Sequence, residues 1–94
     1  MDKFGSLIRL KREEKGMLLR QVSAKLDVDT ALMSKIERGE RAAKKELVAK
    51  LARILAIDKE ELMALWLADK IAMIIDNESQ AERALNIALT QLKN

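Results

Sequence analysis

No proline interrupts this 94-residue chain, and its three glycines stand far apart, at Gly5, Gly16 and Gly39. Proline breaks helix interiors and glycine weakens them, whereas the Ala, Leu, Lys, Glu and Ile that fill this chain favour or tolerate helix. An all-α fold follows. Apolar residues make up 49% and charged residues 35% of the chain, the balance of an ordered domain and not of a disordered tail. A chain this short buries only about two-thirds of its unfolded surface, so its core is limited and association of copies would add to it.

Apolar spacing and stop signals divide the chain into helices. The first runs from about Lys3 to Lys15, with Gly16 as its stop. Phe4 and Ile8 form one stripe on it, and Leu7 and Leu10 an adjacent strip that a minimal domain would leave uncovered. A short helix from about Leu19 to Leu26 ends at Asp27-Val28-Asp29, whose acids suit a turn and the N-cap of the next helix. That third helix, about Thr30 to Arg38, stops at Gly39. A basic loop leads into about Lys44 to Ala56, where Leu47, Val48, Leu51, Ala52, Ile54 and Leu55 make a core-facing side. Asp58 and Glu61 have capping-box spacing and open a fifth helix that can continue to Asp76. Its apolar residues, from Leu62 to Ile75, wrap most of its circumference. Ser79 and Glu82 form a further capping box for a last helix, about Gln80 to Lys93, striped by Ala84, Leu85, Ala88, Leu89 and Leu92.

The absence of cysteine and histidine removes disulfides, thiol nucleophiles, imidazole bases and the usual zinc ligands, so neither a metal nor another cofactor is expected. Adjacent acids at Glu13-Glu14 and Glu60-Glu61 point apart on a helix and suit solvated faces, not acid–base catalysis, so the chain does not read as an enzyme. No apolar stretch resembles a signal sequence or membrane span, which makes a soluble cytoplasmic protein the expectation. No ligand pocket can be read from the residues. Charge is uneven: residues 1–57 hold fourteen Lys/Arg against eight Asp/Glu, and residues 58–94 four against seven. A basic segment on a mildly acidic support suits a polyanion such as nucleic acid.

The segment from Leu19 to Gly39, LRQVSAKLDVDTALMSKIERG, resembles the phage-repressor and Xre (Cro-like) family of helix-turn-helix proteins. The likeness covers Phe4 to Leu65 as a five-helix pattern, and Ser34-Lys35-Ile36-Glu37-Arg38-Gly39 is similar to the end of that family's recognition helix. It implies a five-helix phage-repressor-like DNA-binding domain over residues 1–65, with a C-terminal helical extension over 66–94. It further implies a transcriptional regulator of the repressor kind, with double-stranded DNA as partner. Arg12 and Glu37 are implied as a structural ion pair between the first and third helices. Two departures stand out. Leu18 occupies a position where the family often has Ser or Thr as a cap, and Asp27 one where it often has glycine.

A helical wheel of the third helix leads the same way. With Thr30 at zero and about 100° per residue, Thr30, Ala31, Ser34, Lys35 and Arg38 form one polar or small arc, with Met33 and Ile36 opposite. Thr30, Ala31, Ser34 and Lys35 are therefore the candidates for reading bases, because hydroxyls, a small methyl and a reaching ammonium match groups on base edges. Arg20, Arg38, Arg41, Lys44 and Lys45 flank them as candidates for phosphate contact.

Single short reading helices gain specificity when a two-fold dimer sets two of them about one DNA turn apart, so a homodimer is expected. Trp66, Ile71, Ile74, Leu85, Leu89 and Leu92 are its candidate interface. Two alternatives stay open: the last helix folds back on Leu7 and Leu10, or the apolar C-terminal helices bind another protein, such as a toxin or a restriction–modification partner. In the extreme form of the second, the chain is a helical interaction module that does not bind DNA.

Overall fold

The computed structural model describes residues 3–94, so the first two residues of the domain expected over 1–65 lie outside the described part. Six helices follow in order: α1 Lys3–Glu14, α2 Leu19–Leu26, α3 Thr30–Glu37, α4 Lys45–Leu55, α5 Lys59–Ile75 and α6 Ala81–Lys93. The described residues contain no strand, and the all-α expectation holds.

Local chemistry explains the helix ends. Gly16 and Gly39 take positive φ, 66° and 75°, where an ordinary side chain would be strained. Asp27 also turns left-handed, at φ 55°, so an acid fills the glycine-like position. Asp29 caps α3 by accepting from the Ala31 amide at 2.7 Å. At the start of α2, Leu18 supplies no side-chain acceptor, but its own amide donates to Gln21 Oε1 at 2.7 Å. The fourth helix holds its whole apolar pattern and stops at Leu55: Ala56 is left-handed, and the Ile57 amide donates back to the Ala52 carbonyl at 2.9 Å. The capping box expected at Ser79 does not form. The Ala81 amide donates to the Glu78 carbonyl, which places Ser79 inside a turn and makes Gln80 the residue before α6, without a side-chain cap.

Five helices share one core. Phe4 and Ile8 from α1, Val22 and Leu26 from α2, Met33 and Ile36 from α3, and Val48, Leu51, Ala52 and Leu55 from α4 are buried, with Leu62 closing it from α5. The close pairs are α1 with α3, α4 and α5, α2 with α3 and α4, and α4 with α5; α6 belongs to none of them. No α6 residue is buried, and Leu10 remains 51% exposed, so the last helix does not fold back on α1.

Two contacts from beyond residue 65 tie α5 to the core. Asp69 caps α1 across the fold, accepting from the Lys3 amide at 3.2 Å and the Phe4 amide at 2.8 Å. Its charge also suits the positive end of the α1 dipole. Trp66 Nε1 donates to the Ala43 carbonyl at 2.8 Å, and Lys70 Nζ sits 4.6 Å from the centre of the same indole. Trp66 thus packs in part against its own chain.

α1 meets α3 with no room to spare. A methyl group on Gly5 would lie 2.5 Å from the Ile36 carbonyl oxygen and 2.6 Å from that of Glu37. Backbone atoms on both sides leave nothing that can move aside cheaply. Gly5→Ala is expected to destabilise the fold by about 2 kcal/mol even though alanine favours helix, because the overpacking outweighs the propensity. A lower urea midpoint with an unaltered slope would register it.

Candidate nucleic-acid interface

α2 and α3 are short helices joined by a three-residue turn, and α3 carries both a buried and an open side. Met33, Ile36 and Glu37 are buried; Thr30, Ala31 and Lys35 are exposed, and Ser34 is half-buried. The open side is thus built of small groups and hydroxyls with one ammonium, on a helix whose opposite side is anchored in the core.

Glu37 holds the far end of α3. Arg12 Nε donates to Glu37 Oε2 at 2.7 Å and Nη2 to Oε1 at 3.0 Å, a two-pronged pair, while Nη1 donates to the Met17 carbonyl at 2.9 Å. The two side chains keep only 13% and 6% of their surface exposed. The hydrogen bonds to Glu37 hold the guanidinium above its ordinary pKa, against a burial effect that works the other way. With all these donors committed to α1, the α1–α2 loop and α3, this pair faces inward and is not part of the open side.

Two further networks shape that side. The Ser23 and Thr30 hydroxyl oxygens lie 2.8 Å apart, joining α2 to the first residue of α3. At the other end, Arg38 Nη1 donates to Ser34 Oγ, and Nε and Nη2 donate to Glu40 Oε2 and Oε1 at 2.6 and 3.3 Å. Glu40 is held below its usual carboxylate range mainly by the hydrogen bond from Arg38, whose own value is raised by the same bond. Arg38 therefore already has a carboxylate partner, unlike a freely solvated cation.

Arg20, Arg41, Lys44 and Lys45 are exposed. Arg41 and Lys44 also line a cleft of about 340 Å³ behind α3, together with apolar Val28, Leu32, Ile36 and Leu47. Nothing in the residue pattern announces this cleft. Ser23, Glu40 and Gly5 likewise had no place among the candidate residues. Glu40 sits two residues from Arg38 and could have been noticed; Ser23 shows only as a polar residue at a core-facing position of α2. Ile71, Ile74, Leu85, Leu89 and Leu92 lie away from this face, on α5 and α6, with 40–84% of their surface exposed.

Two short helices at a capped turn, the second anchored on one side and open on the other, define a helix-turn-helix protein. A family model described as a helix-turn-helix domain matches residues 3–65, and the chain belongs to that family. The match is consistent with the likeness to phage-repressor and Xre proteins, and a helix-turn-helix domain implies DNA as its partner. No curated protein and no solved structure matches the chain. No helix among the described residues is long and apolar enough to cross a membrane.

Removing one partner of the Arg12–Glu37 pair leaves a buried charge without its counter-charge. Arg12→Ala or Glu37→Gln is expected to cost about 3 kcal/mol in chemical unfolding. The double replacement by apolar residues of similar volume should recover much of that loss, and a full additive loss would contradict the assignment.

Proposed function

We propose that this chain is a sequence-specific transcriptional regulator of the cytoplasm, a repressor and not an enzyme, that reads a dyad-symmetric operator through α3 as a homodimer. The observation that carries the reading is the open side of α3: Thr30, Ala31 and Lys35 are exposed and Ser34 is half-buried between them, on a helix whose other side is fixed by the core and by Arg12. A helix of this width, with small groups towards its N-terminus, fits a major groove, where each base pair shows a distinct set of donors and acceptors. Arg20, Arg41, Lys44 and Lys45 supply phosphate contacts that set register and affinity; Arg38 joins them through the N–H groups that Ser34 and Glu40 leave unused. Occupying an operator is enough to block polymerase, which is why we assign repression.

The dimer reading draws support from two matching stripes. Leu67, Ile71 and Ile74 on α5, and Leu85, Leu89 and Leu92 on α6, each repeat at i, i+4 and i+7, and all six are large apolar residues at least 40% exposed. Single exposed leucines are ordinary, but two stripes on consecutive helices mark a surface that association would cover.

Selection of bound sequences from random duplex DNA tests binding, symmetry and half-site spacing together. Lys35→Ala is expected to change which sequences are enriched. Lys44→Ala is expected to weaken all duplexes alike and to lower the slope of log affinity against log salt by about one. Binding that ignores salt would favour the interaction-module reading instead. Replacing Leu85 and Leu89 by glutamine is expected to shift the sedimentation of the protein to monomer and to abolish cooperative half-site binding. An unaltered assembly would remove α6 from the interface.

A further inference from the structure

The hydroxyl at the start of α3 is not free to choose its role. Ser23 is only 1% exposed, and its Oγ lies 3.1 Å from the Leu19 carbonyl oxygen, 3.2 Å from that of Arg20, and 2.8 Å from Thr30 Oγ1. A serine hydroxyl has one proton and two lone pairs, and a carbonyl oxygen has no proton to give. If Ser23 turned its proton towards Thr30, its lone pairs would face two carbonyl oxygens at close range with no hydrogen between them, in a place shut off from water. If it donates back along α2, both contacts become attractive and Thr30 completes the chain by donating to Ser23. The second arrangement makes more hydrogen bonds and removes the repulsion. Thr30 then shows only lone pairs to the outside.

Ser34, one turn further along α3, has the opposite polarity. Its Oγ accepts from Arg38 Nη1, and Arg38 is itself held by Glu40 on two further nitrogens, so the Ser34 proton takes no part in that network and is available to an outside acceptor.

Resting on the DNA-reading role given above, we propose that α3 presents a fixed acceptor at Thr30 and an available donor at Ser34, and that buried Ser23 sets the first of these without touching DNA. In the major groove the only base donors are the exocyclic amines, adenine N6 and cytosine N4. Thr30 therefore selects an amino base against a keto base, while Ser34 pairs with an acceptor such as guanine O6 or N7, adenine N7 or thymine O4. Ser23 is a positioning residue: it converts a hydroxyl that could accept either kind of base into one that accepts a single kind.

The test uses the duplex obtained by selection. Each adenine or cytosine of a half-site is replaced in turn by purine or 2-pyrimidinone, which lack the exocyclic amine. At one position the native chain should lose about tenfold in affinity, the worth of one hydrogen bond, and Thr30→Val should lose nothing further there. Ser23→Ala frees the Thr30 proton, so at that position the variant should bind amino and keto bases within about twofold of each other, with base preference elsewhere unchanged. Alanine suits a helix interior, and the freed Thr30 hydroxyl reaches water, so the variant should fold; a matching circular dichroism melt checks this. Thr30→Val supplies the second arm. Specific binding in which Ser23→Ala keeps the native preference at every position, or in which no amine loss is silenced by Thr30→Val, would overturn the proposal while leaving the DNA-reading role standing. A pool with no enriched sequence would overturn both.

Discussion

The contact between α1 and α3 governs the rest of the molecule. At Gly5 the two helices approach until a single added carbon would strike the carbonyls of Ile36 and Glu37. About one turn along α1 from Ile8, Arg12 clasps the Glu37 carboxylate with two nitrogens and the Met17 carbonyl with a third. Close packing positions the helix and the charge pair sets its rotation, because a bidentate guanidinium tolerates little twist. A buried ion pair contributes little net stability against its desolvation cost, so its value here is orientational. It leaves α3 with one admissible side facing out.

Local rules made much of this fold legible. The glycine stops, the Asp29 and Asp58 caps and the apolar spacing of α1 to α4 each depend on neighbours a few residues away, and each appears where the pattern placed it. Two features lay beyond those rules. Ser79 had the right spacing for a cap, but the Glu78–Ala81 turn shifted the helix start by one residue. Trp66 shows the other limit of local spacing: its hydrogen-bond partner within the chain, the Ala43 carbonyl, lies 23 positions away. Asp69 is the same case: nothing near it in the chain announces that it caps α1.

The candidate surface was legible as a wheel but not as a network. Which residues of α3 face outward follows from 3.6-residue periodicity, since Met33 and Ile36 must go inside. What those residues can offer depends on partners that the wheel does not contain. Thr30 is tied to Ser23 on another helix, and Arg38 to Glu40 beyond the glycine stop. Hydrogen-bond polarity is a property of such chains and not of single side chains, which is why a list of polar residues at the right angles underdetermines chemistry.

One further consequence belongs to α5. It runs unbroken from Lys59 to Ile75, about 25 Å at helical rise, with Leu62 sunk in the core and Ile74 in solvent. Because Asp69 and Trp66 clamp its middle to α1 and to the loop before α4, the outer half is a rigid lever and not a tether. Anything that seats on its far end inherits a set angle to α3, so rotating that seat by one residue would swing the whole head by about 100°. The angle between that far end and α3 is thereby written into the helix itself.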